Sequence, residues 1–278
     1  MIKPILFFSL SFACGAAQAQ CVESLPLKGM ISVENCDPTK RNCVDAGQAL
    51  YQYMEKRKDD AHDELYIGIH GSPWHFYDGQ YHIIEPEELA ENVRQQGRAI
   101  KHVVLLSSWS GIAPTSNTKS PAQRLSAALG GIPVDGQKGF VWFDKDGSIE
   151  TTQQAFTAFS SGPYRIAPGE KVMASLAVGW FYQFEAQIAD SKDARAMLRA
   201  GVGFDVFMLC PEHALKTFEA AAALGDPVAA YNAAILKLER ANPGDMDAAT
   251  ALLNQAAAKG DDKAKAKLKS LAQSKHGH

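Results

Sequence analysis

The chain has 278 residues and a formal net charge of −3. This charge balance gives no reason to expect nucleic acid or acidic lipid as a partner. The length suits one large domain or two modest ones.

The amino terminus has the pattern of a secretory signal peptide. Lys3 supplies the positive start, residues 5–13 form the apolar stretch, and residues 17–19 form an Ala-Gln-Ala cleavage site. A membrane anchor is disfavoured because the apolar stretch is too short to cross a bilayer, and no later segment is long enough. A lipid anchor at Cys14 or Cys21 stays open as an alternative. We therefore expect a periplasmic or secreted protein with no membrane-spanning segment after cleavage.

Four of the five cysteines remain after cleavage, and an even number in an exported protein suggests disulfides. Cys36 and Cys43 enclose a turn-rich loop and are predicted to pair, which leaves Cys21 to pair with Cys210. Metal binding is disfavoured because the chain has no Cys-x-x-Cys spacing and no histidine cluster. We therefore expect disulfides, and neither a metal nor a cofactor.

Local patterns predict an alternation of helices and strands from residue 46 onward. Apolar residues at i, i+3 and i+4 indicate helices, short apolar runs indicate buried strands, and glycine-containing turns indicate hairpins. In chain order, the predicted elements are a helix over 46–57, a strand over 65–69, a hairpin over 74–84, a helix from 86 to 97, a strand over 102–106, a helix from 121 to 129, a strand over 132–134, and a hairpin of 140–143 with 149–152. This order is typical of an α/β architecture.

The helix that starts after residue 120 has the clearest end signals. Ser120 is its predicted cap, Pro121 is its first residue, and Gln123 completes a capping box. Gly130 and Gly131 are predicted to end it.

From about residue 169 the composition becomes helical, and the last part contains an internal repeat. The motif Ala-Ala-Ala-x-Gly-Asp occurs at 221–226 and again at 256–261, an offset of 35 residues. A period of this length is typical of helix-turn-helix solenoids. Because fewer than three repeats seldom stand alone, we expect helices within 171–209 to complete the array.

Two of the predicted strands end in polar residues that are candidates for a catalytic site. The first strand is followed by His70, and the second by the segment 107–111, Ser-Ser-Trp-Ser-Gly. The carboxyl ends of neighbouring parallel strands face the same crevice. A histidine beside a nucleophile is the arrangement that a hydrolase needs, which makes His70 the candidate base and Ser108 the candidate nucleophile. Ser107 and Ser110 are alternative nucleophiles.

Aromatic and polar side chains near these strand ends are candidates for lining a binding pocket. Packing in the protein interior is the alternative role for the aromatic rings. The binding candidates in this region are Trp74, His75, Trp109 and Ser110.

Several common catalytic motifs do not occur in the sequence. It has no Gly-x-Ser-x-Gly elbow, which disfavours a hydrolase of the α/β type. It also has no glycine-rich phosphate loop and no His-Glu-x-x-His metal motif.

The order of motifs after residue 62 allows a comparison with known families. His70-Gly71 is followed by a hairpin, a helix, the segment 108–111, a further helix over 122–130, and Pro133-Val134. This order resembles the caspase-like (clan CD-type) domains attached to bacterial toxins and large surface proteins. The resemblance implies a three-layer α/β sandwich. It also puts Ser108 where the family has its catalytic cysteine, and this implies an inactive or impaired enzyme, because a serine hydroxyl needs a base in contact.

The C-terminal repeat resembles a second family. Its alanine-rich helix, its Gly-Asp turn and the following Ala229-Ala230-Tyr231 resemble Sel-one-like repeats of the tetratricopeptide superfamily, most clearly over 212–272. Such repeats mediate protein contacts and are not catalytic. The resemblance therefore implies a protein partner and makes Tyr231 a further binding candidate.

The sequence thus predicts a signal peptide, a disulfide-linked segment, a caspase-like α/β domain and a helical repeat region, at 1–19, 20–60, 61–168 and 169–275. The predicted function is that of an exported protein-interaction protein, such as one that neutralises or accompanies an envelope-targeted toxin. The alternative is a serine-dependent peptidase or hydrolase that uses Ser108 and His70, for example an antibacterial effector. The sequence leaves the oligomeric state open.

Overall fold

A computed structural model of the protein describes most of the chain beyond residue 62. The described residues are 30–35, 53, 55–56, 63–97, 99–143, 149–152, 155–158, 164–172 and 188–276. Within these ranges, Cys210 is fully buried at the start of a helix. The predicted signal peptide and Cys21, Cys36 and Cys43 lie outside them, so both disulfide pairs stay predictions.

Strands dominate the first part of the described chain, and helices dominate the last part. The strands are β1 (Met30–Asn35), β2 (Glu64–Ile67), β3 (His70–Gly71), β4 (Phe76–Tyr77), β5 (Ile83–Ile84), β6 (His102–Leu105), β7 (Val134–Asp135), β8 (Phe140–Phe143), β9 (Ile149–Thr152), β10 (Ala155–Ala158) and β11 (Tyr164–Val172). The helices are α1 (Pro86–Arg94), α2 (Pro121–Ala128), α3 (Ala194–Val206), α4 (Pro211–Ala223), α5 (Pro227–Arg240), α6 (Asp245–Ala258) and α7 (Asp262–His276).

A parallel sheet in the order β2-β6-β7 organises the α/β part. β2 pairs with β6 in register from Glu64 opposite His102 to Ile67 opposite Leu105. The prediction that the two apolar runs are neighbouring parallel strands is therefore confirmed. Both strands consequently end at the same edge of the sheet, as the candidate site requires.

The helices of the α/β part begin where the sequence predicts. α1 begins at Pro86, and α2 begins at Pro121 behind a complete capping box between Ser120 and Gln123. After α2, Gly130 and Gly131 have φ angles of +74° and +94°, which side chains with a Cβ rarely adopt. The core between these helices and the sheet is fully apolar; among its buried residues are Leu89, Val93, Val103, Leu105 and Leu125.

The antiparallel strands are predicted in part. The hairpins β4–β5 and β8–β9 form as expected. His70 and Gly71, which follow the predicted strand over 65–69 and precede the predicted hairpin, form an unpredicted strand, β3, which pairs with β4. A further sheet in the order β10-β1-β11 was not predicted, and its strand β11 continues past residue 169, where a helical composition begins. Local patterns could not reveal this sheet because its strands are far apart along the chain.

The helical part is a structural repeat with the predicted offset. Gly225 and Gly260 end α4 and α6 with φ angles of +100° and +94°. Asp226 and Asp261 then cap the next helices, each accepting a hydrogen bond of 2.8 Å from a backbone amide three residues later. Helix α3 packs against α4 and extends the array, as expected for a helix within 171–209.

The described residues thus form small parallel and antiparallel sheets followed by a helical region. This agrees with the predicted α/β domain and helical part, while the three-layer sandwich stays a prediction. None of the helices in the described ranges is long and apolar enough to cross a membrane.

Gly111 provides a test of the packing at the end of the sheet. A Cβ there would lie 2.5 Å from the carbonyl oxygen of Gly136, and a Cβ at Gly136 would lie 2.5 Å from the amide nitrogen of Gly111. We expect Gly111→Ala to lower the free energy of unfolding by about 1–3 kcal/mol through overpacking.

The matched control is Gly79→Ala, because a Cβ at Gly79 would meet nothing within 4 Å. Its effect in urea denaturation should stay within about 0.5 kcal/mol. Equal stability of the Gly111→Ala and Gly79→Ala variants would contradict the close approach.

Candidate functional site

The residues predicted for catalysis lie where β2 and β6 end. His70 is exposed, and desolvation by the surrounding protein lowers its pKa below the ordinary value, so the ring is neutral at neutral pH. Ser108 Oγ accepts a hydrogen bond of 3.1 Å from the amide of Val141, the second residue of β8. Within the described part of the chain, no hydrogen bond joins His70 to Ser108. The Ser108 hydroxyl therefore fixes a strand, and no described base contacts it.

The two alternative nucleophiles are buried. Ser110 Oγ donates a hydrogen bond of 2.7 Å to the carbonyl oxygen of Ser107 and accepts one of 3.0 Å from the amide of Gln137. Ser107 Oγ has no hydrogen-bond partner among the residues that the structure describes. A Cβ at Gly71 would lie 2.0 Å from that oxygen, so only glycine fits at this point of β3. Both serines are therefore shielded from a substrate.

The aromatic binding candidates occupy two different places. Trp109 is 2% exposed, and its ring packs edge-on against Phe140 with centroids 5.4 Å apart. Trp109 therefore has the role of packing in the protein interior, which is the alternative to lining a pocket. Trp74, His75 and Tyr231 instead lie at the junction between the α/β part and the helical part.

The junction contains a buried polar cluster centred on Asp205 of α3. The side chain of Asp205 is completely buried. Its Oδ2 accepts hydrogen bonds from Ser72 Oγ at 2.8 Å, from His75 Nδ1 at 2.9 Å and from Tyr77 OH at 2.9 Å. On the other side of the ring, His75 Nε2 lies 2.7 Å from Glu239 Oε2. His75 therefore links the carboxylates of α3 and α5.

The charge of His75 follows from these two neighbours. Burial acts to lower its pKa, but the negative charges and hydrogen bonds of Asp205 and Glu239 outweigh burial and raise it to about 10. His75 is consequently a cation at neutral pH, and both ring nitrogens donate to carboxylates.

A serine, a histidine and an aspartate meet in this cluster, but they do not form a catalytic triad. In a triad the histidine lies between the other two residues and takes the serine proton. Here Ser72 donates to Asp205 directly, and its Oγ accepts from the backbone amides of Trp74 and His75. Because Ser72 is also completely buried, we assign the cluster a structural role.

A second set of contacts holds the β4–β5 hairpin against the helical repeats. Asn232 of α5 accepts a hydrogen bond of 2.9 Å from the amide of Ile83 and donates one of 2.7 Å to the carbonyl oxygen of Tyr81. The neighbouring Tyr231 packs edge-on against His82, with ring centroids 5.5 Å apart. The repeats thus bind the backbone of residues 81–83, and this backbone belongs to their own chain.

Ion pairs reinforce the same contact. His82 lies 2.7 Å from Asp261 and 3.4 Å from Asp78. Burial acts to lower the pKa of His82, but hydrogen bonds to these two carboxylates outweigh it and raise the pKa to about 9. Lys263 of α7 adds contacts of 3.3 Å to Asp78 and 2.7 Å to Glu88. Charges on both sides of the junction are therefore compensated.

An open cleft with a volume of about 450 Å³ lies beside the cluster. Trp74 and His75 form part of its wall, between α1, α2 and the end of α5. Its other charged lining residues are Glu85, Glu87, Lys119, Arg124 and Glu239. No group of three or more possible metal ligands was found among the described residues.

This second region has one weak signal in the sequence. Asp205 stands alone among apolar residues in the segment Gly-Val-Gly-Phe-Asp-Val-Phe of a predicted helix. Such an acidic residue is buried only when it has partners. The partners could not be identified from the sequence, because Ser72 lies 133 residues away along the chain.

Removal of the buried carboxylate tests the role of the cluster. In Asp205→Asn, the cation at His75, which is only 3% exposed, loses one of its two carboxylates. We expect a loss of about 3–5 kcal/mol in the free energy of unfolding, measured by urea denaturation. The control is Asp247→Asn on the exposed surface of α6, with an effect within about 0.5 kcal/mol. Similar stability of the two variants would refute the structural role.

The ion pairs at His82 predict a dependence of stability on pH. Because its pKa is raised to about 9 in the folded protein, its stabilising contribution is complete below pH 6.5 and is lost as the pH rises through about 9. We expect the melting temperature to fall over this range, and to fall less steeply in His82→Gln. Equal slopes in calorimetric scans of the two proteins would show that His82 does not carry this effect.

The comparisons with known proteins concern the α/β part. Residues 39–151 match the family described as a domain of unknown function (DUF8616). This match ends within β9 and leaves out the helical repeats. No curated protein and no solved structure matches the chain. The function must therefore be inferred from the site itself, and the similarity to caspase-like domains and Sel-one-like repeats stays a prediction.

Proposed function

We propose that the protein is an exported interaction protein that acts by binding another protein, with a caspase-like domain that is catalytically impaired. The observation that carries this proposal is the hydrogen bond from the amide of Val141 to Ser108 Oγ. The signal-peptide pattern at 1–19 supports export to the periplasm or beyond. The resemblance to toxin-associated domains supports a role in neutralising or accompanying an envelope-targeted toxin.

Catalysis by Ser108 would depend on proton transfer. A serine hydroxyl becomes a nucleophile when a base within hydrogen-bond reach takes its proton. No described base makes this contact with Ser108, and its oxygen already accepts the amide of β8. The neighbouring Ser107 and Ser110 are buried. Catalysis would therefore require a rearrangement of the end of β6.

The contacts of the helical repeats limit where a partner can bind. Tyr231 and Asn232 are used to hold residues 81–83 of the same chain. A partner that competes for these residues would have to displace the hairpin and expose the buried cluster at Asp205. We therefore propose that partners bind the surfaces that the intact protein exposes, without separating the two parts.

A serine-dependent hydrolase is the second candidate function. One observation favours it: His70 is an exposed, neutral base at the same sheet edge as Ser108. A shift of His70 towards Ser108 on substrate binding would create a base and nucleophile pair.

A fluorophosphonate probe separates the two candidates, because it reacts covalently with activated serines. We expect no labelling of Ser108 in the intact protein, measured by mass spectrometry of its peptides. We also expect Ser108→Ala to recover the same partners from an envelope extract as the wild type. Ser126→Ala serves as the control, since Ser126 Oγ likewise makes one hydrogen bond to the backbone.

The opposite result would be labelling of Ser108 that disappears in His70→Ala. That outcome would establish an activated serine and overturn the proposal of an impaired enzyme. Loss of partner recovery in Ser108→Ala, with recovery retained in Ser126→Ala, would also count against a purely structural serine.

A further inference from the structure

We propose that the cleft beside Trp74 and His75 binds a small zwitterionic ligand, a free amino acid or a dipeptide. This proposal does not depend on whether Ser108 is active. Its volume of about 450 Å³ lies within the usual range of about 300–1,000 Å³ for small-molecule pockets.

Two cations that line the cleft, Lys119 and Arg124, pair with no carboxylate among the described residues. Arg124 donates from Nη2 to the carbonyl oxygen of Trp74, while its Nε is buried without a hydrogen-bond partner in the described structure. Lys119, just before α2, is exposed and pairs with no carboxylate among the described residues. A ligand carboxylate would pair with Lys119 and with the guanidinium of Arg124, which is well suited to bind it.

The cleft is also lined by carboxylates with unused acceptor capacity among the described residues. Glu239 uses Oε2 for His75 and has no described partner for Oε1. Glu87 is exposed at the first turn of α1 and has no described partner. Glu85 differs because Lys267 already pairs with it. Glu239 and Glu87 are therefore the acceptors available to a ligand ammonium group.

Arg124 and Glu239 contact two consecutive residues in the wall of the cleft. Trp74 and His75 are consecutive residues; Arg124 binds the carbonyl oxygen of the first, and Glu239 binds the ring of the second. No ion pair joins Arg124 to Glu239, although both line the same cleft. A ligand that lies across Trp74 and His75 would thus meet Arg124 with one end and Glu239 with the other.

This arrangement selects against ligands with charge of one sign. An anion would meet Glu87 and Glu239, and a cation would meet Arg124 and Lys119. A ligand with both charges a few bonds apart avoids both repulsions. The half-buried ring of Trp74 supplies an apolar surface for the ligand's side chain.

The test is a binding screen of the intact protein with the free L-amino acids and the dipeptides Ala-Ala and Ala-Phe. Binding is measured by the shift in melting temperature and then by calorimetric titration. We expect at least one of these probes to bind. For the best binder, N-acetylation and C-terminal amidation should each weaken affinity about tenfold or more, since each removes one charge-assisted contact.

Variants then test the cationic residues of the cleft. Arg124→Gln and Lys119→Gln should weaken the zwitterion but affect the amidated probe less, because that probe has no carboxylate. Lys119 is exposed, so its variant tests the site even if Arg124→Gln is destabilised. Arg199→Gln, on the exposed surface of α3 outside the cleft, is the matched control and should bind as the wild type does.

Three outcomes would overturn the proposal. The first is that none of the amino acids or dipeptides binds. The second is that the acetylated and amidated probes bind as tightly as the free ones. The third is that an uncharged disaccharide binds in the cleft more tightly than every zwitterion, which would make it a carbohydrate site.

Discussion

The buried carboxylate of Asp205 is the contact on which the arrangement of the two parts depends. Its Oδ2 accepts three hydrogen bonds from residues that surround β4, although Asp205 itself belongs to α3. A buried charge is stable only with such compensation, and removal of one partner leaves the others unsatisfied. The α/β part therefore cannot move away from the helices without a large energetic cost. The position of Trp74 and the walls of the cleft follow from this contact.

The helical repeats are in the first place an internal support for the hairpin. Asn232 binds the backbone of Tyr81 and Ile83, and the side chain of Ile83 joins the apolar core of the helices. A repeat array with few units cannot bury its own apolar face completely. The hairpin supplies the missing surface here, which explains how such a short array is stable. The interface that unites the two parts also forms one wall of the cleft.

Local sequence signals predicted the elements well wherever their cause is local. The capping box at Ser120, the glycines after α2 and the Gly-Asp turns that recur after 35 residues each depend on residues a few positions apart. The strand β3, the sheet of β1, β10 and β11, and the polar cluster depend on contacts between distant segments. One part of the predicted site is present in the structure: β2 and β6 are neighbours and end at the same edge of the sheet. The Asp205 cluster had only one signal, a single acidic residue in an apolar helix.

The sequence by itself predicted the elements whose ends are set locally, such as α1, α2 and the hairpin β8–β9, because capping, turn chemistry and hydrophobic period act over a few residues. It also determined that His70 and Ser108 follow neighbouring strands. Only the tertiary structure decided what each side chain does. Ser108 binds the amide of β8, and His75 rather than His70 is fixed between two carboxylates. The physical reason is that hydrogen-bond partners and burial are set by the docking of segments more than 100 residues apart, such as Ser72 and Asp205 at a separation of 133.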